Sequence, residues 1–206
     1  MPFRPGVAYL GGFMKKFVCA AALAAALMSV ASFTQAAEPV KRGGFLAQMD
    51  LDFGGDDVAT LAFTNGNTQN VKAGQGLGLG IGGWFRPVES VPFELQGILG
   101  YKVVFTAADN ADIQMTRTTL QLNGIYRFAN DWYAGGGYTM HMSPELDGDG
   151  FFENLEFDDA NGITVEFGWK WIGLHYTNIK YSSPGFEDVD ASNIGIRFTG
   201  RFGGPK

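Results

Sequence analysis

What the chain has least of narrows it first. Its 206 residues include a single cysteine, Cys19, so no intrachain disulfide can brace it. Charged residues make up only 17%. Beyond residue 36 no run reaches the eighteen or so consecutive apolar residues that a membrane helix needs, which excludes a helical membrane protein. Strands that cross a bilayer are only weakly hydrophobic on average, so a strand-built membrane protein survives that test. The chain carries no phosphate-binding P-loop, dinucleotide-binding glycine fingerprint, zinc-ligand spacing or nucleophile elbow. Asp147-Gly148-Asp149-Gly150 approaches a calcium loop but lacks the third ligand position and the terminal Glu spacing, and is read as a solvated acidic loop. No cofactor and no metal is expected.

What is present in quantity is glycine and aromatic side chains: 30 Gly, 18 Phe and 7 Tyr. With so few charges, this composition fits many short strands joined by tight turns. The amino terminus has the three parts of a secretory signal. Lys15 and Lys16 form a basic region, residues 17–30 an apolar one, and Thr34-Gln35-Ala36 a small-residue cleavage site. Residues 1–36 are therefore expected to be a signal peptide, with Met14 an alternative start, and Cys19 is expected to leave with it. Those residues hold Arg4, Lys15 and Lys16 and no acid, so the remainder carries 12 basic against 21 acidic residues, a net of −9. Such a surface repels nucleic acid, and no nucleic-acid partner is expected. It suits a membrane face where divalent cations bridge anionic lipids.

After a lead at 37–43, apolar and polar residues alternate with a period of two. Over 44–53, Phe45, Ala47, Met49, Leu51 and Phe53 share one face, leaving Asp50 and Asp52 on the other. Alternation resumes over 58–64 toward Asn65-Gly66, a strong hairpin signal. The second strand, 70–85, sets Val71, Ala73, Leu77, Leu79, Ile81 and Phe85 against Lys72, five glycines and Trp84. Further strands are read over 93–104, 115–128, 132–142, 160–170 and 173–181, and Asn193–Phe202 is the last. Residues 143–159 form the longest irregular segment, rich in Asp and Glu. Most of these strands set an apolar face against a polar one, and in several the polar face carries charges. That inverse arrangement, grease outward and charge inward, predicts an all-β fold: an eight-stranded antiparallel up-and-down transmembrane β-barrel over 44–202, with 203–206 as a tail.

Long and short connections alternate, and aromatics cluster beside the short ones: Trp84, Phe85, Phe93, Phe128, Trp132, Trp169, Trp171 and Phe202. This is the pattern of an interfacial girdle. The inward charges Asp50, Asp52, Glu94, Lys102, Arg117, Arg127, Glu166, Lys170, Arg197 and Arg201 are expected to pair as an ionic plug, because eight strands leave an interior just wide enough for side chains. The inward glycines of the second and fifth strands are the one feature that leaves room for a small hydrophobic solute.

On signal, strand count, loop asymmetry and the aromatic last strand, the chain resembles the small eight-stranded outer-membrane barrels, the group that includes outer-membrane proteins A, X and W. The resemblance implies export to the outer membrane of a Gram-negative bacterium, contact with outer-membrane lipids and lipopolysaccharide, insertion by the barrel-assembly machinery and a monomeric state. It implies a structural or surface-interaction role. Locally, His175-Tyr176-Thr177-Asn178 resembles the His-x-Ser-Asn motif of outer-membrane lipid A deacylases. That likeness implies His175 as base, Thr177 in the place of the nucleophile and Glu187, Asp188 or Asp190 as the acid. Residues two apart share a strand face at about 7 Å. Alternation, however, turns His175 and Thr177 inward with the lumen network, which is the other reading of the same pair.

Overall fold

The computed structural model describes residues 42–62, 68–105, 113–148, 154–183 and 187–203. The expected leader, the Asn65-Gly66 tip, the loop at 107–111 and the last three residues lie outside them. The described strands, in chain order, are β1 Gly43–Phe53, β2 Asp57–Ala62, β3 Thr68–Lys72, β4 Gly76–Phe85, β5 Phe93–Phe105, β6 Gln114–Arg127, β7 Trp132–Asp147, β8 Leu155–Glu156, β9 Ala160–Trp169, β10 Ile172–Tyr181, β11 Val189–Asp190 and β12 Asn193–Phe202. Eight of them, β1, β4, β5, β6, β7, β9, β10 and β12, form a ring in which each strand is antiparallel to both neighbours. The ring closes where β12 returns to β1, with Phe45 opposite Phe202, Asp50 opposite Arg197 and Phe53 opposite Ile194. Closure satisfies the backbone donors and acceptors of every wall strand and removes the sheet edge.

The alternation read from the sequence reappears as alternating exposure. Along β9 every second residue is buried, and Ile163, Val165, Phe167 and Trp169 are exposed. Leu79, Ile81, Leu95, Leu99, Tyr138, Leu174 and Ile194 continue the apolar belt around the ring. A patch of that extent is far beyond what a monomer keeps exposed to water, and it suits contact with lipid tails. Three connections are short: 86–92, a 3-10 turn at Ala129–Asp131, and residues 170–171. They share one end of the barrel with Gly43 and Phe202, and the four longer connections share the other.

Three segments depart from the expected layout. The strand expected over 70–85 is two strands. The chain turns at residues 73–75, and Gly76 has a φ of +147°, a conformation that side chains oppose. β3 therefore leaves the wall and pairs with β2 in a separate hairpin. Val71 and Ala73, expected to face outward, are fully buried instead. Lys72, expected inward, reaches Asp57 at 2.7 Å on the half-exposed hairpin. The segment expected to be irregular over 143–159 continues β7 to Asp147. Its register shifts opposite Thr116 and Thr118, and Ser143 has a φ of 48°. β8 then pairs back on Glu145 and Leu146. The driving force is apolar: Leu146 and Phe157 enter a cluster with Val104, Ile113, Met115 and Ile179 that closes the long-loop end. Finally, β9 stops at Trp169, one residue short of the expected end, because Lys170 adopts the left-handed conformation of a tight turn.

Candidate functional site

The lumen is built in three ionic layers, each set by the inward phase of the strands. Nearest the short turns, β5 places Glu94 fully buried. Its Oε1 accepts from Arg201 Nη2 at 2.6 Å and Arg86 Nη2 at 3.0 Å, and its Oε2 from Arg127 Nε at 2.8 Å. Flat rings back two of these guanidinium groups. Arg201 lies 4.3 Å from the Trp84 ring centroid and Arg127 lies 5.2 Å from that of Tyr133.

In the middle layer Arg197 of β12 spans two carboxylates. Its Nε donates to Asp50 Oδ1 and its Nη1 to Glu166 Oε2, both at 2.8 Å. Tyr133 donates its hydroxyl to Glu166 Oε1 at 2.8 Å, and Gln48 donates to Asp50 Oδ2 at 2.9 Å. Each carboxylate thus has both oxygens engaged, which is what a buried charge requires.

The third layer lies toward the long loops. Asp52 holds Lys102 Nζ at 2.5 Å and His175 Nε2 at 2.7 Å. Lys102 also donates to the carbonyl of Gly74, and Arg117 donates to that of Gln75 at 2.6 Å, so two buried cations grip the turn that leads from β3 to β4. Gly195 makes this layer possible, since a Cβ there would stand 2.7 Å from His175 Cε1. Above it His141 Nδ1 meets the Tyr181 hydroxyl at 2.6 Å, beneath the apolar cluster. Between the middle and third layers lies a cavity of about 20 Å³, lined by Asp50, Asp52, Lys102, His141, His175 and Arg197 among others. That is room for one or two water molecules. Neighbours stand close beside two of the inward glycines of β4. A Cβ on Gly80 would stand 2.8 Å from Ile98 Cγ2, and one on Gly78 would stand 3.4 Å from Asp50 Cβ.

Nine of the ten charged side chains expected in the lumen are there. Lys170 is the exception: it is exposed in the β9–β10 turn with its Nζ 4.3 Å from the Trp169 ring centroid, because the turn reverses the chain before another inward position arises. Seven of the eight expected girdle aromatics face outward beside the short turns, with Trp132 stacked on Phe167 at 5.1 Å and Trp169 Nε1 donating to the Asn130 carbonyl. The exception is Trp84. It is 3% exposed and points into the lumen, as the parity of β4 with its inward Gly78, Gly80 and Gly82 requires. Arg86, assigned to a turn from sequence, keeps that same parity and joins the Glu94 layer. The two-residue phase from Trp84 was the signal that could have found it.

The structure does not assemble His175, Thr177 and Glu187 into a catalytic set. His175 and Thr177 are buried on the inward face; Thr177 donates to Thr164 Oγ1, and the carboxylate at His175 is Asp52. Glu187 is exposed in the connection before β11, as is Asp188. Asp190, the third acid considered, clasps the outer hairpin instead: its amide donates to Asp56 Oδ2, and Asp56 returns an amide to its carbonyl at 2.7 Å. The side chain and backbone amide of Ser192 hold the Asp190 carboxyl below its usual range.

A closed ring of eight antiparallel strands, apolar without and charged within, defines a transmembrane β-barrel. The chain matches the family model of the outer membrane protein beta-barrel domain over residues 20–202, and it belongs to that family. It is an integral protein of the bacterial outer membrane. A comparison with curated proteins finds no match.

Proposed function

We propose that the barrel is closed to solutes and serves envelope integrity or surface interaction, without catalysis. The observation that carries this reading is Arg197 bridging Asp50 and Glu166 across the lumen, beside a cavity of about 20 Å³. A hydrated ion needs a continuous wet path, and a hydrophobic solute needs an apolar slot; both are taken up by side chains. On this reading the short turns face the periplasm and the long connections face outward, where their acidic residues meet lipopolysaccharide through divalent cations. The protein would be exported by the leader at 1–36 and inserted as a monomer by the barrel-assembly machinery. Purified protein in a planar bilayer is expected to give no unitary conductance above the bare membrane. Reproducible single-channel steps from the unaltered protein would overturn the reading.

A further inference from the structure

The layer at the short-turn end carries the largest excess of charge in the lumen. Three guanidinium groups, from Arg86, Arg127 and Arg201, surround the single carboxylate of Glu94, which leaves an excess of two positive charges. In the middle layer two carboxylates share one guanidinium, and in the third Asp52 faces both Lys102 and Arg117, so each of those layers departs from balance by one charge, in opposite directions. Glu89, on the same rim, already holds Arg42 at 3.5 Å.

A second feature of the same layer points the same way. Arg86 Nε, Arg201 Nε and Trp84 Nε1 are buried N–H donors without an acceptor among the described residues. Unmet donors in a native interior call for a partner, and here all three lie around one carboxylate whose oxygens are already shared. The three arginine side chains are between 18% and 28% exposed, so part of each can be reached from solvent. What the layer lacks is an acceptor-only group carrying about two negative charges.

We infer that the short-turn mouth binds a phosphate-class dianion on Arg86, Arg127 and Arg201. A phosphate monoester or orthophosphate carries about −1.5 to −2 at pH 7, which matches the excess. Its oxygens accept the forked, parallel hydrogen bonds that guanidinium offers. A carboxylate would satisfy half of the charge. The site lies at one rim, so it does not depend on whether the lumen beyond it conducts.

The test uses the full barrel refolded in maltoside detergent, with heat-modifiable gel mobility as the check on folding. Three probes, orthophosphate, acetate, and mixed micelles containing phosphatidic acid, are titrated against the fluorescence of Trp84, which stacks on Arg201, in a barrel whose other three tryptophans are replaced by phenylalanine, and the two phosphorus probes also by ³¹P NMR. Saturable orthophosphate binding, weakened about tenfold or more in Arg201→Gln and Arg86→Gln, is expected, since each loses a charge-assisted contact. Glu94→Gln removes the resident competitor and is expected to tighten binding several-fold, an effect in the direction opposite to damage. Arginine-dependent binding of phosphatidate alone would support the site and assign its phosphate to a lipid headgroup. Acetate binding as tight as orthophosphate, a Glu94→Gln protein no tighter than the unaltered one, or no saturable binding by any probe would overturn the inference.

Discussion

A buried arginine with two carboxylates is the residue on which the interior turns. Removing Arg197 leaves Asp50 and Glu166 buried without the cation they share, each with a single neutral donor. Breaking a buried pair from one side costs about 3–5 kcal/mol. Arg197→Gln is expected to destabilise the barrel by that order, read as a lowered urea midpoint in micelles. Adding Asp50→Asn and Glu166→Gln to it should restore most of the loss, because what costs is the stranded charge more than the missing bond. Trp84 makes a second case at this scale. It sits within the lumen against Arg201, whereas Trp132, Trp169 and Trp171 face outward. Single-tryptophan proteins in bilayers of brominated lipid should therefore divide, with the three outward residues strongly quenched and Trp84 little affected. Its place was legible from strand parity alone. Proximity to a short turn pointed the other way, and the pleat decided.

Strands and their connections obey two different rules, and the clearest expectations lie where the rules meet. On the wall, one face belongs to lipid. Val165 stands midway along β9 and is exposed, so Val165→Arg should cost about 2–4 kcal/mol of folding free energy in a bilayer, as charge on the lipid face near the midplane does. Comparing urea titrations in thin lipid vesicles checks it. Above the wall, the β2–β3 hairpin is held to the β11 connection through Asp56 and Asp190. The Asp190 carboxyl is held below its usual range in the folded protein, so its contribution is complete above the unfolded value of about 3.9 and is lost as pH falls through the lower folded value. Hydrogen exchange at Asp56 and Ser192 should be unaffected by this group from pH 5 to 8 and should lose protection below about pH 4. In Asp190→Asn the step should be absent. These clasps were not readable beforehand, because they join residues more than a hundred positions apart through loops that follow no period.

At the scale of the whole molecule, lipid and charge exchange the places they hold in a soluble protein, and that exchange is why so much could be read from a single chain. A period of two is a local property: it assigns each side chain to a face without knowledge of any partner strand, and the chemistry of the faces then names the surroundings. Strand number, the outward aromatics at the short turns and nine of the ten charged side chains placed in the lumen followed from that phase alone. Who pairs with whom did not. Arg197 reaching both Asp50 and Glu166, three arginines converging on Glu94, and His175 meeting Asp52 in place of Glu187 depend on the curvature that brings nonadjacent strands together across the lumen. So do the folding of Val71 and Ala73 under the long loops and the extension of β7 through a bulge. The sequence by itself thus determined which way every wall residue points and what medium it wants. The tertiary structure alone decided which charges meet, because meeting is a property of the closed ring and not of any strand.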